Sequence, residues 1–188
     1  MSAAVSALVP QAFWFLRHGE TDWNAKNLSQ GAVDIPLNET GLAQARVAAG
    51  KLRNRGITTI LCSDLSRAKV TAEIVSEQLG LPVQVDPALR EVSFGVQEGQ
   101  PMSEWFSEWV AGTITPDGAE SFRALRVRAS GAINRALALP APVLVVAHGA
   151  FFRAIRAEMG LEPNFRTPNA TPLFCEPGRP VWNLLPAE

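Results

Sequence analysis

The chain has 188 residues, a length that fits one domain of ordinary size or at most two small ones. Hydrophobic residues make up 47% of the chain and charged residues 19%, so it can build a packed core and is not predicted to be disordered. The formal net charge of -1 excludes a nucleic-acid binder that depends on bulk positive charge.

The cysteine and histidine counts and the lack of long apolar runs exclude several kinds of site and of cellular location. Two cysteines, Cys62 and Cys175, are too few for a disulfide framework or a four-thiolate zinc site, and two histidines are too few for a three-histidine metal site. Residues 1–11 contain no Lys or Arg and no sustained apolar stretch, which predicts a flexible N-terminus rather than a secretory signal. No apolar run approaches the roughly 18 residues of a membrane helix. We therefore expect a cytoplasmic protein with no membrane partner.

The first half of the chain alternates between buried strands and amphipathic helices. Thr40 is predicted to be the N-cap of the first helix, and Gly56 and Gly80 are predicted to end the two helices because each comes after the last apolar residue of the helical pattern. The predicted elements are a strand at 12–16, a helix at 40–56, a strand at 57–61, a helix at 65–80 and a strand at 83–85.

The second half begins with a segment, residues 91–118, that shows no clear strand and surrounds a Trp-rich stretch with Gly-rich turns. Residues 95–120 are predicted to form a small lid. The elements that follow are a helix at 122–137, a strand at 142–147, a helix at 150–160 and a terminal hairpin at 173–175 and 181–184. Strands that alternate with helices predict a single domain over 1–188, an α/β fold with three layers (α/β/α), a mostly parallel central sheet and one antiparallel terminal strand.

Both histidines lie just past the end of a predicted buried strand, and each is followed by glycine. Ligands bind beyond the carboxyl ends of parallel strands, so His18 and His148 are expected to share one site. Arg17 adds a guanidinium that suits phosphate, and the helix after His148 directs its N-terminal N–H groups to the same edge. The alternative is that Arg17 pairs with a carboxylate and His18 only ends its strand.

Two further segments offer groups for the same edge of the sheet. Arg67 follows the second strand at the start of a helix, where its charge opposes the helix dipole, so a bound anion explains it better than a solvent-facing role. A cysteine-phosphatase loop is excluded because only four residues separate Cys62 from Arg67 and none is glycine, and Cys62 is interpreted as buried and apolar. Glu91 or Glu98 could protonate a leaving oxygen, and spacing alone does not choose between them.

Taken together, these segments resemble the histidine phosphatase superfamily, which includes cofactor-dependent phosphoglycerate mutase. The segments that carry the resemblance occur in family order, and it extends from about residue 13 to residue 171. They are Arg-His-Gly-Glu-Thr at 17–21, residues 63–67 followed by Thr-Ala-Glu at 71–73, Glu91 with Phe94-Gly95, and His148-Gly149.

The resemblance implies a two-step reaction through a phosphohistidine, with no metal and no cofactor. His18 matches the nucleophile, and Glu91 matches the proton donor to the leaving group. The phosphoryl oxygens would be held by four groups, Arg17, Asn24, Arg67 and His148. Since His18 must be neutral to attack while His148 helps more as a cation, the two imidazoles are expected to differ in pKa.

Phosphatase activity on a small phosphorylated substrate is favoured over phosphoglycerate mutase-type transfer. The chain is short beside the mutases, only 28 residues separate Glu91 from Glu120, and Ala150 stands where those mutases tend to carry a polar residue. A non-catalytic phosphate-binding module is the third hypothesis, and retention of both His18 and Glu91 argues against it. Sugar phosphates, α-ribazole phosphate, phosphoglycerate-like acids and phosphoproteins all remain open as substrates.

The Trp-rich stretch of the lid is the candidate for substrate selection. Trp105 and Trp109 share one face if the segment is helical, and with Phe106 they could stack on an organic leaving group. Alternatively, they pack the lid onto the domain or onto a second subunit, which leaves homodimerisation open.

Overall fold

A six-stranded sheet forms the centre of the computed structural model, which describes residues 4–188. Its strands are β1 (Phe13–Arg17), β2 (Thr59–Cys62), β3 (Val83–Val85), β4 (Val143–Ala147), β5 (Leu173–Glu176) and β6 (Asn183–Pro186). The helices are α1 (Asp22–Ala25), α2 (Glu39–Leu52), α3 (Ser66–Leu79), α4 (Glu104–Ala111), α5 (Phe122–Leu137) and α6 (Gly149–Glu158).

The strands are arranged in the order β3-β2-β4-β1-β5-β6. The pairs β1–β4, β4–β2 and β2–β3 are parallel, whereas β5 runs antiparallel to β1 and to β6. This arrangement confirms the predicted mostly parallel sheet with an antiparallel terminal hairpin.

Helices cover both faces of the sheet, as the burial of β1 illustrates. Phe13 and Phe15 belong to the apolar cluster that includes residues of α4, α5 and α6. Trp14 and Leu16 point to the opposite face and belong to the cluster that includes residues of α2 and α3. The three-layer α/β/α prediction is therefore confirmed.

The predicted bounds of α2 were wrong at both ends. Asn38, rather than Thr40, is the N-cap, and its Oδ1 accepts a hydrogen bond of 2.8 Å from the N–H of Gly41. The helix ends at Leu52 because Asn54 already has a left-handed φ of 64°, whereas the prediction continued to Gly56.

Two smaller features also differ from the prediction. The second strand of the terminal hairpin, β6, lies two residues later than expected. Helix α1 was missed because its four residues lie in a polar segment. Its capping box joins Thr21 and Asn24, whose side chains each accept a hydrogen bond from the other's backbone N–H.

The segment before β1 lies along α5. The side chain of Asn134 accepts a hydrogen bond from the N–H of Val9 and donates one to the carbonyl of Ala7, both at 2.9 Å. Residues 1–3 of the segment predicted to be flexible lie outside the described residues. Within residues 4–188, none of the helices has both the length and the apolar character to span a membrane.

Candidate active site

The two histidines lie side by side because β1 and β4 are parallel neighbours in register. Arg17 pairs with Ala147, so the next residue of each strand is a histidine. The N–H of His18 donates to the carbonyl of Ala147 at 3.0 Å, and the His18 and His148 ring centroids are 5.3 Å apart. The predicted convergence of both histidines at one edge of the sheet is what the structure shows.

The His18 ring is held in a defined tautomer. Its Nδ1 lies 2.7 Å from the carbonyl oxygen of Gly19, and since a carbonyl can only accept, the ring proton is assigned to Nδ1. Burial, together with the charges of Arg67 and Arg17, lowers the pKa of His18 well below 6.5. The ring is therefore neutral, and Nε2 keeps its lone pair.

His148 is fully buried and stands at the N-cap position of α6. Among the described residues, neither of its ring nitrogens has a hydrogen-bond partner. Burial is the main cause that lowers its pKa well below 6.5, and the charges of Arg67, His18 and Arg17 act in the same direction. The expected difference in pKa between the two histidines stays a prediction, because burial and the same two arginines lower the pKa of both rings.

Arg17 and Arg67 bring two guanidinium groups to this site. Arg67 Nη1 and Nη2 donate to the carbonyls of Val33 and Gly31 at 2.7 and 2.8 Å, and Arg17 Nη1 donates to the carbonyl of Thr167 at 2.6 Å. Burial lowers the pKa of both arginines to about 10, so both remain charged at neutral pH. The Nε of each arginine lacks a partner within residues 4–188, which suits these groups to an anion.

Asn24 is oriented by two donors to its side-chain oxygen. The N–H of Thr21 and Nδ2 of Asn169 both donate to Asn24 Oδ1 at 3.2 Å, and within residues 4–188 the Asn24 amide nitrogen, at the cavity, has no hydrogen-bond partner. Asn169, which was not predicted as a site residue, also donates to the His18 carbonyl at 3.0 Å. Thr71 belongs to the 71–73 segment that carries the family resemblance, but no role was predicted for it. Its hydroxyl accepts from the N–H of Gly19 at 3.1 Å, and no local pattern links either residue to its distant partner.

Geometry separates the two candidate carboxylates. Glu91 lines the cavity, with Oε2 accepting from the N–H of Ala150 at 2.9 Å and Oε1 accepting from the N–H groups of Phe151 and Val92 at 2.8 and 3.1 Å. Glu91 therefore supplies the cap that the N-cap residue of α6 does not provide.

Glu98 lies elsewhere. Its Oε1 accepts from the N–H groups of Ala32 and Phe94 at 2.9 and 3.1 Å, so it joins two loops and is not among the residues that line the cavity.

The lid aromatics divide between the cavity and the core. Phe106 lines the cavity, but Trp105 and Trp109 do not. Trp109 is fully buried and donates from Nε1 to the carbonyl of Glu120 at 2.9 Å, while Trp105 packs edge-to-face on Phe94 at 5.2 Å. The expected role in substrate contact is corrected for both tryptophans, because the face that they share packs the segment 95–120 against Phe94 and the apolar core.

These groups meet around one cavity of about 300 Å³. Besides the residues already described, its lining includes Arg153 and Arg166, which sequence analysis missed. Arg153 is four residues after Gly149 in α6, a spacing that places both on one helix face and could have indicated it. In the part of the chain that the structure describes, no group of three His, Cys, Asp or Glu side chains could hold a metal ion.

Comparison with known proteins agrees with this geometry. A family model described as Histidine phosphatase superfamily (branch 1) matches residues 13–170. A protein of Yersinia pestis (strain Pestoides F), named as a probable phosphoglycerate mutase, GpmB, is 41% identical and shares 72% of this chain and 68% of its own length.

Two solved structures extend the likeness to the fold. A mycobacterial glucosyl-3-phosphoglycerate phosphatase in complex with VO3 is 30% identical, with a TM-score of 0.81 over 92% of this chain and 96% of that one. A protein of Escherichia coli str. K-12 substr. MG1655, provisionally named an alpha-ribazole-5'-P phosphatase, is 27% identical, with a TM-score of 0.78 over 97% of each chain.

Proposed function

This chain belongs to the histidine phosphatase superfamily, and on that premise we propose that it is a phosphomonoester hydrolase. It acts without a metal, through a phosphohistidine at His18, on a small phosphorylated metabolite. The observation that carries the proposal is the state of His18. The ring is neutral and keeps the Nε2 lone pair, and it lines the same cavity as Arg17 and Arg67.

In the first step, the lone pair of His18 Nε2 attacks phosphorus and forms a P–N bond while the P–O bond to the alcohol breaks. The complex with the ester holds one proton on the carboxyl group of Glu91, which lines the cavity, and this proton goes to the leaving oxygen. Arg17, Arg67 and the Asn24 amide hold the phosphoryl oxygens, and their fixed positive charge stabilises the transition state.

In the second step, water attacks the same phosphorus atom and the P–N bond breaks. The carboxylate of Glu91 takes the proton from water, and inorganic phosphate leaves with His18 restored to its neutral form. His148 donates to a phosphoryl oxygen during both steps. A bound dianion raises the pKa of His148, because its charge is opposite to that of the arginines that lower it.

The lid supports hydrolysis over transfer to a second alcohol. We propose that residues 95–120 cover the cavity with one short α-helix, α4, and a 3-10 turn at Gly95–Gln97. Ala150 lines the cavity next to the candidate phosphate site and offers no side-chain hydrogen bond to a second substrate hydroxyl. A site with this small cover gives water access to the phosphohistidine.

Hydrolysis of p-nitrophenyl phosphate in the presence of EDTA tests the proposal. We expect turnover by the wild-type protein and none by His18→Ala, with both proteins folded by circular dichroism. Activity that survives in His18→Ala would remove His18 as the nucleophile, and a wild-type protein without turnover would contradict the hydrolase proposal.

The role of Glu91 has its own test. Glu91→Gln should lower kcat/KM for an alkyl phosphate far more than kcat/KM for p-nitrophenyl phosphate, since kcat/KM reports the first step and nitrophenolate leaves without a proton. Glu98→Gln is the matched control, because Glu98 lies outside the cavity lining. An equal loss on both esters in Glu91→Gln would assign the acid to another group.

Phosphoglycerate mutase-type transfer is the second candidate, and the 41% identity to a probable phosphoglycerate mutase favours it. The two functions differ in the acceptor of the phosphoryl group. If a three-carbon diol added to the assay becomes phosphorylated at the expense of inorganic phosphate release, the protein is a transferase. We expect inorganic phosphate to account for all of the ester consumed.

A further inference from the structure

Glu91 lies in an irregular loop rather than on a helix or a strand. The loop begins after the 3-10 turn at Pro87–Leu89 and continues to a second 3-10 turn at Gly95–Gln97. The carboxyl group of Glu91 reaches the cavity from this loop, so its position depends on what holds residues 88–96 in place. A misplacement of about 1 Å in a catalytic group can lower a rate about a hundredfold.

One arginine of α5 binds the backbone of this loop directly before Glu91. Arg128 Nη1 donates to the carbonyls of Ala88 and Arg90 at 2.9 and 2.7 Å. On its other side, the same guanidinium donates from Nε and Nη2 to Oε1 and Oε2 of Glu120 at 3.0 and 2.6 Å. The bidentate ion pair with Glu120 fixes the plane of the guanidinium, and this plane directs the two bonds that hold the loop.

Glu120 binds the same loop on the far side of Glu91. Its N–H donates to the carbonyl of Ser93 at 2.9 Å. The loop is therefore attached both before and after Glu91, and the ion pair between Arg128 and Glu120 joins the two attachments. The side chains of the pair are 27% and 22% exposed. A bidentate pair that is mostly shielded from solvent holds its partners more firmly than an ordinary surface ion pair does.

Arg128 is not among the residues that line the cavity. Its charge does act on the site, since it is the smallest of the causes that lower the pKa of His148, after burial and the nearer charges. A role through charge alone would not need directed hydrogen bonds. Because every arm of the Arg128 guanidinium makes one, the geometry favours a role in positioning.

We propose that Arg128, together with Glu120, is a positioning residue that holds Glu91 where it gives a proton to the leaving oxygen and takes one from water. The inference rests on the proposed hydrolase function and goes beyond it, because it assigns the alignment of the acid and base to an ion pair outside the cavity. Loss of this pair should impair the proton transfers of Glu91 and leave His18 and Arg17 in place.

The variant Arg128→Lys tests this role because it keeps the charge and removes the planar fork. A lysine ammonium donates from a single nitrogen atom and cannot bind Glu120 in bidentate form while it holds the loop. We expect kcat/KM for propyl phosphate to fall about tenfold or more beyond any fall in kcat/KM for p-nitrophenyl phosphate, since nitrophenolate leaves without a proton.

Arg126→Lys is the matched control. Arg126 lies two residues before Arg128 on α5 and forms its ion pair with Glu158 of α6 instead. This variant should keep the wild-type ratio of the two kcat/KM values. If Arg128→Lys also keeps that ratio, or if it lowers kcat/KM for both esters by the same factor, the positioning role is refuted.

A double-mutant cycle shows whether Arg128 acts through Glu91. In the Glu91→Gln background, adding Arg128→Lys should change kcat/KM for propyl phosphate by less than about twofold, because no acid is left to align. A further loss as large as that in the wild-type background would refute the role. If Arg128→Lys does not fold by circular dichroism, Glu120→Gln replaces it, since an amide attracts a guanidinium less than a carboxylate does. The ratio of the two kcat/KM values should shift in the same direction, and an unchanged ratio would refute the role.

Hydrogen exchange tests the positioning role without activity. The N–H groups of Ala150 and Phe151 lie in the first turn of α6, where the carboxylate of Glu91 is their acceptor. Arg128→Lys should speed the exchange of both about tenfold or more, whereas Arg126→Lys should not. Equal exchange rates in the two variants would refute the role. If the wild-type protein hydrolyses neither ester, the hydrolase proposal fails, and this comparison alone decides whether Arg128 positions Glu91.

Discussion

Replacing Glu91 with glutamine should destabilise the protein, although the side chain keeps its size. Glu91 caps the start of α6, and its two carboxylate oxygens accept hydrogen bonds from three backbone N–H groups. The amide oxygen of glutamine can replace Oε1 and keep the bonds from Phe151 and Val92. The amide nitrogen would then face the N–H of Ala150, so one buried donor would lose its acceptor.

The expected cost follows from these contacts. A buried N–H without a partner costs about 1–3 kcal/mol. Loss of a negative charge at a helix N-terminus adds about 0.3–1 kcal/mol. Arg17, Arg67 and Arg153 would also lose the carboxylate that offsets their mutual repulsion. We therefore expect the free energy of unfolding to fall by about 2–4 kcal/mol, a loss that a protein of ordinary stability survives.

Urea unfolding followed by tryptophan fluorescence measures this loss. Glu98→Gln is the control, because Oε1 of Glu98 accepts both of its hydrogen bonds and an amide oxygen can accept the same two. We expect Glu98→Gln to stay within about 1 kcal/mol of the wild-type protein. If Glu91→Gln is as stable as Glu98→Gln, the assignment of Glu91 as the cap of α6 is wrong.

Two further predictions concern pH and backbone packing. The pKa of His18 and that of His148 lie well below 6.5 in the folded protein, so the unfolded chain binds more protons below pH 6.5. The free energy of unfolding should then fall from pH 6.5 to 5, with a slope that approaches about 2.7 kcal/mol per pH unit. Replacing either histidine with Asn should halve this slope. A flat pH profile of the free energy of unfolding, measured with urea, would contradict the lowered pKa of the two histidines. A Cβ on Gly19 would collide with the backbone of Gly41, so Gly19→Ala should lower the free energy of unfolding by about 1–3 kcal/mol and reduce kcat/KM. The control, Gly131→Ala in α5, should be neutral or stabilising. Equal stability of the two variants would refute this reasoning.

The centre of the candidate site was predictable because local sequence determines it. The runs that precede Arg17-His18 and His148 are apolar at every position, which is typical of strands buried on both faces in a parallel sheet. Parallel strands end at the same edge, so two histidines that follow such runs are expected there. Residue spacing and strand direction were enough for this part of the prediction.

The support of the site was not predictable because it depends on contacts between distant segments. Asn169 reaches the carbonyl of His18 across 151 positions of the chain, and Thr167 accepts from Arg17 across 150. Trp105 and Trp109 do share a helix face, but spacing does not state whether that face turns toward the cavity or the core. Both tryptophans pack against Phe94, and Nε1 of Trp109 donates to the carbonyl of Glu120, so the shared face turns toward the core.

The central claim is that His18 carries the phosphoryl group between the two steps. The most direct test uses the Glu91→Gln variant with p-nitrophenyl phosphate. Nitrophenolate leaves without a proton donor, whereas attack by water still needs Glu91 as the base, so the phosphohistidine should accumulate. Alkaline quench and mass spectrometry should find one phosphoryl group, labile to acid, on Nε2 of His18. Release of nitrophenol with no phosphorylated histidine, or with the phosphoryl group on another residue, would contradict the account.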